Sequence, residues 1–521
     1  MDTMEFKLER QTFCAGETVL DTSVEQSVEK DFVLPDYCAD IFRILKCVVD
    51  TRVLSQTING GKLTFELGVS ARVLYCSEGD SKVNCIVQKM NYTKSLDLAD
   101  NCQSPSVFIT SRCDYVNCRV ISPRRLDIRG AVTSHIKVVC EKTQSIVTDA
   151  SGGSIQLKKQ LLTYPAKRLT ADKRVTVIEE LELAGDKPPV TQVIRTDCFI
   201  QPAEQKIIAG KLVTKGDANL TMLYTCVDSS GEDTISSMRF TVPFSQIIDV
   251  DGIDESFDAR VRITPSSCEI MPAADSQTSL ECELVMLVSC EAVKYETADV
   301  VTDAYSTRFE CELKTSGGSL ESVPEYVEQT KVVTASVKCP DENILCVYDS
   351  WASVDNTGVR TSEDDSSFVI SGNVRFSMLA KTESGTPVFL ETQEPFEHTI
   401  ALPEQLEDIS ACKCEPDVCV KGCEYRISQP DSADITAELA VRADVSSSAA
   451  KQLISDITLK TDSPKKRDDG CAVKLCYCGE QDDIWDIAKR YSTSVTAIME
   501  ENELDAGSTA HSGMLLIPLM N

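Results

Sequence analysis

An internal repeat constrains this chain more than any other feature. Residues 32–75 and 181–224 align without a gap at an offset of 149, the difference between 181 and 32. Gly61-Lys62-Leu63 falls on Gly210-Lys211-Leu212, and Leu74-Tyr75 on Leu223-Tyr224. A third, more divergent copy runs through Phe368 to Leu379, with Met378-Leu379 read as lying 155 beyond Leu223-Tyr224. Self-similarity at a fixed period means one supersecondary unit built several times. Each copy continues into a turn-rich stretch (Ser77 to Lys82, Asp228 to Asp233, Thr382 to Pro387) and closes on long alternating runs, such as Arg125 to Val132 and Ala433 to Val441. Apolar/polar alternation rich in β-branched residues, punctuated by Gly, Ser, Asp and Pro, predicts antiparallel strands with one buried face. The expected fold is mainly β: three tandem antiparallel β-rich modules, sandwich- or barrel-like, over residues 1–145, 146–295 and 296–445.

Composition narrows the function. Of 521 residues, 42% are hydrophobic, enough to bury real cores. Lys plus Arg is 52 against 82 for Asp plus Glu, a formal charge of -30, which repels phosphate backbones and anionic lipid. Nucleic acid and bare membrane are therefore poor partners. No 18 apolar residues run together, so no transmembrane segment is expected. Met1 to Arg10 is charged and alternating with no apolar export core, which predicts a cytoplasmic protein. In that compartment the 24 cysteines should be mostly thiols. Cys412, Cys414, Cys419 and Cys423, then Cys471, Cys476 and Cys478, lack the paired C-x2-C knuckles of structural zinc sites, so no metal is expected. His135, His398 and His511 sit singly in different modules, which leaves little room for a nucleophile–His triad. No Gly-rich phosphate loop occurs, and no cofactor is expected. The chain reads as a non-enzyme.

Residues 446–470, from Ser446-Ser447-Ser448-Ala449-Ala450 to Pro464-Lys465-Lys466-Arg467-Asp468-Asp469-Gly470, read as a flexible tether. Beyond it, Val473, Leu475 and Tyr477 alternate as a strand. Asp482 or Asp483 can cap a helix whose apolar positions Ile484, Ile487, Ala488 and Tyr491 share one face. Thr493-Ser494 opens a second helix with Val495, Ile498 and Met499 inward, and Met514 to Ile517 supply a closing strand. The order is βααβ over residues 471–521. Most positions of the run from Trp485 to Thr493, Trp485 and Tyr491 included, are expected to pack the module's core rather than stack on a ligand.

The run Trp485-x-Ile487-Ala488-x-x-Tyr491-x-Thr493 in that order resembles the LysM family, whose members usually bind N-acetylglucosamine polymers. The resemblance implies a binding site on the loop after the first strand and the loop before the last: Gln481, Asp482, Asp483, Ile484, Trp485, Asn502, Ser512, Gly513 and Met514. The usual Gly-Asp-Thr of the first loop stands here as Gln481-Asp482-Asp483, which loses a permissive glycine, and the module carries three cations against eight acids. An altered loop on a retained fold points to a changed partner. Leu34-Pro35-Asp36-Tyr37-Cys38-Ala39-Asp40-Ile41 and Asp303-Ala304-Tyr305-Ser306-Thr307 resemble segments of the SPOCS domain of clostridial sporulation proteins. SPOCS copies followed by a LysM module resemble the SipL-like family of spore coat morphogenetic proteins. That resemblance implies a coat-assembly scaffold on the mother-cell side of the forespore, its LysM module docking the basement-layer ATPase SpoIVA and its β modules contacting other coat proteins. Peptidoglycan binding through the LysM module is the alternative.

Overall fold

The computed structural model describes residues 6–78, 82–98, 103–273, 278–321, 323–402, 406, 409–465, 471–479, 482–504 and 513–519. The fold is mainly β, and every strand pairing is antiparallel. The first module contains β1 (Lys7–Val33), β2 (Arg43–Asn59), β3 (Lys62–Cys76), β4 (Val83–Asp97), β5 (Gln103–Ser122) and β6 (Arg125–Ser151). They form two sheets, β2-β3-β4 and β1-β6-β5. Leu63, Phe65, Leu67, Val69, Ala71, Val73 and Tyr75 alternate down β3 and are all buried, against Leu126, Ile128, Val132, Ile136 and Val138 of β6. Period-2 side chains from the two sheets thus share one core, which is a sandwich.

The second module repeats this with β7 (Ile155–Glu182), β8 (Gln192–Ile208), β9 (Lys211–Val227), β10 (Asp233–Asp249), β11 (Asp258–Pro272) and β12 (Ser279–Ser306), in sheets β10-β9-β8 and β11-β12-β7. In the third, the equivalent of β1 and β7 is split into β13 (Phe309–Glu321) and β14 (Glu325–Lys338). Then come β15 (Ile344–Thr361), β16 (Ser367–Thr382), β17 (Pro387–Ala401), β18 (Cys412–Gln429) and β19 (Ser432–Pro464). Here β15-β16-β17 faces a sheet in which β19 pairs with β13, β14 and β18. The Leu34–Ile41 opening is a loop held by Arg124, whose guanidinium donates to the carbonyls of Leu34, Pro35 and Cys38 and to Asp40 at 2.7 Å.

The modules pack on one another through equivalent positions of the repeat. Ile146, Val300 and Leu453 bury together in one cluster. Val147, Val301 and Ile454 join Ala150, Ala304 and Ile457 in another. These residues occupy matching positions near the ends of β6, β12 and β19. Adjacent residues of one strand can both be buried because each strand bulges there: the pairing skips Thr148, Thr302 and Ser455. A bulge rotates the following side chains to the other face. The Asp after each bulge accepts the next backbone N–H, at 2.9 Å for Asp149, 2.8 Å for Asp303 and 3.1 Å for Asp456. A further threefold contact joins Leu74, Leu223 and Leu379.

Three expectations need correction. First, Leu379, not Met378, is the counterpart of Leu223, an offset of 156. Met378 faces the module core whereas Leu379 faces the intermodule cluster, and a one-residue slip moves a strand residue to the opposite face. Second, residues 446–464 are not a tether. They continue β19, paired with β13, because Leu453, Ile454 and Ile457 sit at the repeat's buried positions; residues 466–470 lie outside the described residues. Third, the boundaries drawn at 145/146 and 295/296 fall inside β6 and β12. Val473, Leu475 and Tyr477 form the expected strand, their side chains pointing outward at 39%, 64% and 78% exposure. Cys140 is disulfide-bonded, while the other described cysteines are free thiols. Among the described residues no group of three or more His, Cys, Asp or Glu could hold a metal ion, and no helix is long and apolar enough to cross a membrane.

Candidate binding site on the terminal module

The terminal module is β20 (Val473–Cys478), α1 (Ile484–Tyr491), α2 (Val495–Glu501) and β21 (Gly513–Pro518). Asp483 caps α1, its carboxylate accepting from the Trp485 N–H at 2.9 Å, and Ser494 caps α2 through the Ala497 N–H at 3.1 Å. Cys478, Ile484, Ile487, Ala488, Ile498, Leu515 and Ile517 form the core. Burial, and then the neighbouring Cys476 thiol, pushes the Cys478 thiol up to about 11.

One further residue belongs to this core, and it comes from the second module. Tyr305, at the end of β12, is 2% exposed and meets the Trp485 ring edge-on, with centroids 5.0 Å apart and planes at 69°. Its hydroxyl donates to the Thr493 carbonyl at 2.7 Å. Burial, and then the Asp303 charge, holds that hydroxyl well above the usual phenol range. The Trp485 indole N–H donates to Asp303 at 2.7 Å, and the Lys489 ammonium contacts both oxygens of the same carboxylate at 2.7 Å. Lys158 of β7 pairs with Asp483 at 2.7 Å. Burial opposes ionisation of Asp483, but the Lys158 contact and the Trp485 N–H outweigh it and lower its pKa. Lys465 donates to the Ser306 carbonyl at 2.9 Å and to the Ser492 hydroxyl at 3.2 Å. The module is thus docked on the end of the second sandwich.

The expected site residues divide accordingly. Gln481 and Ser512 lie outside the described residues. Asp482 accepts from the Gly479 N–H at 2.8 Å, which folds the first loop back on itself. Asp483 and Trp485 come together against the second module, and Ile484 is buried in the core. Asn502 is bound to backbone: its amide group exchanges two hydrogen bonds with Leu516, both at 2.7 Å. Gly513 opens β21 opposite Cys478. Met514 is 63% exposed and forms, with Val473, Leu475, Tyr477 and Leu516, an open apolar sheet face.

Sequence reasoning missed Lys158, Asp303, Tyr305 and Lys489. A signal for Tyr305 existed: the repeat places Ser151 and Thr458 at its position, whereas Asp149 and Asp456 match Asp303. The aromatic ring is thus a feature of one copy only. The other two aspartates pair with strands of the sandwiches instead, Asp149 with Lys159 of β7 and Asp456 with Arg10 of β1 and Lys314 of β13.

Comparison with known families bears on this geometry. Residues 189–271, the second module from before β8 to the end of β11, match the family described as SipL, SPOCS domain. Residues 480–517 match the LysM domain. The chain carries a SPOCS domain and a LysM domain. This is the domain pair of the SipL-like resemblance. No curated protein and no solved structure matches the chain. SPOCS and LysM are non-catalytic domain families, and the pair fits a sporulation coat-associated protein.

Proposed function

We propose that the chain is a non-enzymatic scaffold of endospore coat assembly, working in the mother cell at the forespore surface. Its LysM domain docks the basement-layer ATPase SpoIVA, and its three sandwiches contact other coat proteins. The observation that carries this reading is how the LysM domain is used. Asp483 and Trp485, beside the loop that would grip glycan, are engaged by Lys158, Asp303 and Tyr305. The open face is instead apolar: Val473, Leu475, Tyr477, Met514 and Leu516. An exposed apolar patch suits a protein partner better than a polar glycan. We assign the ATPase contact to this face. Peptidoglycan binding is the second reading, favoured by the LysM match itself.

Pull-down of the full chain against purified SpoIVA-like ATPase, and in parallel against peptidoglycan and chitin oligomers, separates the two. The proposal expects saturable capture by the ATPase and none by glycan. Glycan capture at micromolar affinity with no ATPase binding would reverse the order of the two readings.

A further inference from the structure

The two outer edges of the LysM sheet differ. On β21 the Leu516 N–H donates to the Asn502 side chain and the Leu516 carbonyl accepts from it, both at 2.7 Å. The Pro518 carbonyl accepts from the Thr493 hydroxyl at 2.6 Å. Residues at the ends of α1 and α2 thus seal that edge. The same contacts fix the orientation of β20. Leu516 turns its peptide groups away from β20, so its pairing with Leu475 is of the non-hydrogen-bonded kind, and the N–H and C=O of Leu475 point outward. A period of two gives Val473 and Tyr477 the same orientation. Among the described residues the N–H groups of Leu475 and Tyr477 find no acceptor.

An edge with outward backbone groups is a template for a further strand, and proteins blunt edges they do not use with charges or prolines. Here the residues that offer their backbone, Val473, Leu475 and Tyr477, carry exposed apolar side chains instead. We propose that β20 is a receiving edge, to which an extended basic segment of the partner protein, apolar at every second position, adds as a third strand. The inference rests on the reading that the LysM domain docks the ATPase, and it states what form the docked segment takes.

Each part of that description follows from the edge. In strand addition the main-chain hydrogen bonds supply affinity and alternate side chains supply specificity. One face of the added strand continues the open face of Leu475, Tyr477, Met514 and Leu516, so its residues on that side are apolar. Charge complementarity sets the sign of the others. The module carries three cations against eight acids, and one of the three, Lys489, is already held by Asp303. Lys or Arg between the apolar residues is therefore attracted. A second copy of this chain would bring the same eight acids to the contact, which disfavours pairing of β20 with itself.

Hydrogen–deuterium exchange of the full chain, resolved to single residues by electron-transfer fragmentation, tests this with two ligands: purified SpoIVA-like ATPase and the peptide Lys-Val-Lys-Val-Lys-Val-Lys. Either should slow exchange at Leu475 and Tyr477 by at least about tenfold, because their N–H groups gain acceptors. The same peptide N-methylated at its valines, equal in charge, should not. Leu475→Pro removes an N–H that faces away from β21, where proline is tolerated. It should leave the melting temperature unchanged and weaken ATPase capture at least about tenfold more than Leu475→Ala does. Capture by the ATPase with exchange at both residues unchanged overturns strand addition and leaves the docking reading intact. No capture by the ATPase, with the unmethylated peptide alone slowing both residues, refutes that reading and supports the receiving edge. No slowing by either ligand, or equal slowing by the N-methylated peptide, overturns the proposal. So does a dimer of the free chain that Leu475→Pro abolishes.

Discussion

Replacing Tyr305 by Ser converts the docking position of the second module to what the first already carries at Ser151. Three losses follow from the structure. The edge-to-face pair with Trp485 is worth about 0.5–1.5 kcal/mol. The hydrogen bond to the Thr493 carbonyl is worth about 1 kcal/mol. Burial of the ring accounts for most of the remainder of a large-to-small change, which in cores totals about 3–5 kcal/mol. The ion pair of Lys489 with Asp303 and the indole hydrogen bond remain, so we expect docking to weaken by about 3 kcal/mol, roughly a hundredfold. Hydrogen–deuterium exchange reads this directly. Peptides covering 484–491 should lose protection by at least about tenfold, while those covering β3 and β16 stay unchanged, because local opening is independent of the sandwich cores. Tyr305→Phe, which keeps the ring and loses only the hydroxyl, should show about a third of the effect in free energy. Unchanged exchange over 484–491 in Tyr305→Ser would refute the reasoning, as would loss of protection throughout the chain.

Asp349, on β15, provides a pH test. Burial, opposed by the nearby Arg195 charge, pushes its carboxyl up to about 6, against about 3.9 in an unfolded chain. The folded state therefore holds the extra proton between those values, and stability falls as pH rises from about 4 to about 6. Asp349→Asn should raise the melting temperature by a few degrees at pH 7.5, reflecting at most about 3 kcal/mol, and give no gain at pH 4; equal gains at both would be contrary. Tyr477→Glu, on the open LysM face, should weaken ATPase capture by at least about tenfold while leaving the melting curve unchanged. Gly153 has φ +61°, and a Cβ there would lie 2.2 Å from Leu459 Cδ1. Gly153→Ala should destabilise the chain by about 1–3 kcal/mol, measured by urea denaturation.

How much could be read from the sequence follows from which forces are local. Alternation in β3, β9 and β16 specified their strands because a period of two registers one buried face, and this required no knowledge of partners. The same local logic narrowed the caps of α1 and α2 to Asp482 or Asp483 and to Thr493-Ser494, of which Asp483 and Ser494 serve. What failed was long-range. Residues 446–464 look polar in isolation, and their few apolar side chains, Leu453, Ile454 and Ile457, acquire meaning only against Ile146, Val147, Val300 and Val301 from the other modules. The bulges at Thr148, Thr302 and Ser455 break the alternation that would otherwise have marked those strands. The slip that placed Met378 on Leu223 has a related cause: the outer face of β16 is also apolar where Leu379 meets its neighbours, so two registers looked alike. At the candidate site, Trp485 looked like a module core residue and is one, but its core is completed by Tyr305, 180 positions earlier.

The central claim, that this chain is a coat scaffold at the forespore surface, is tested most directly by imaging a fluorescent fusion of the full chain in sporulating cells. The account predicts a ring around the forespore that becomes diffuse when the SpoIVA-like ATPase is absent. A diffuse signal in unmodified cells would contradict it, as would a ring that persists without the ATPase and follows the cortex peptidoglycan.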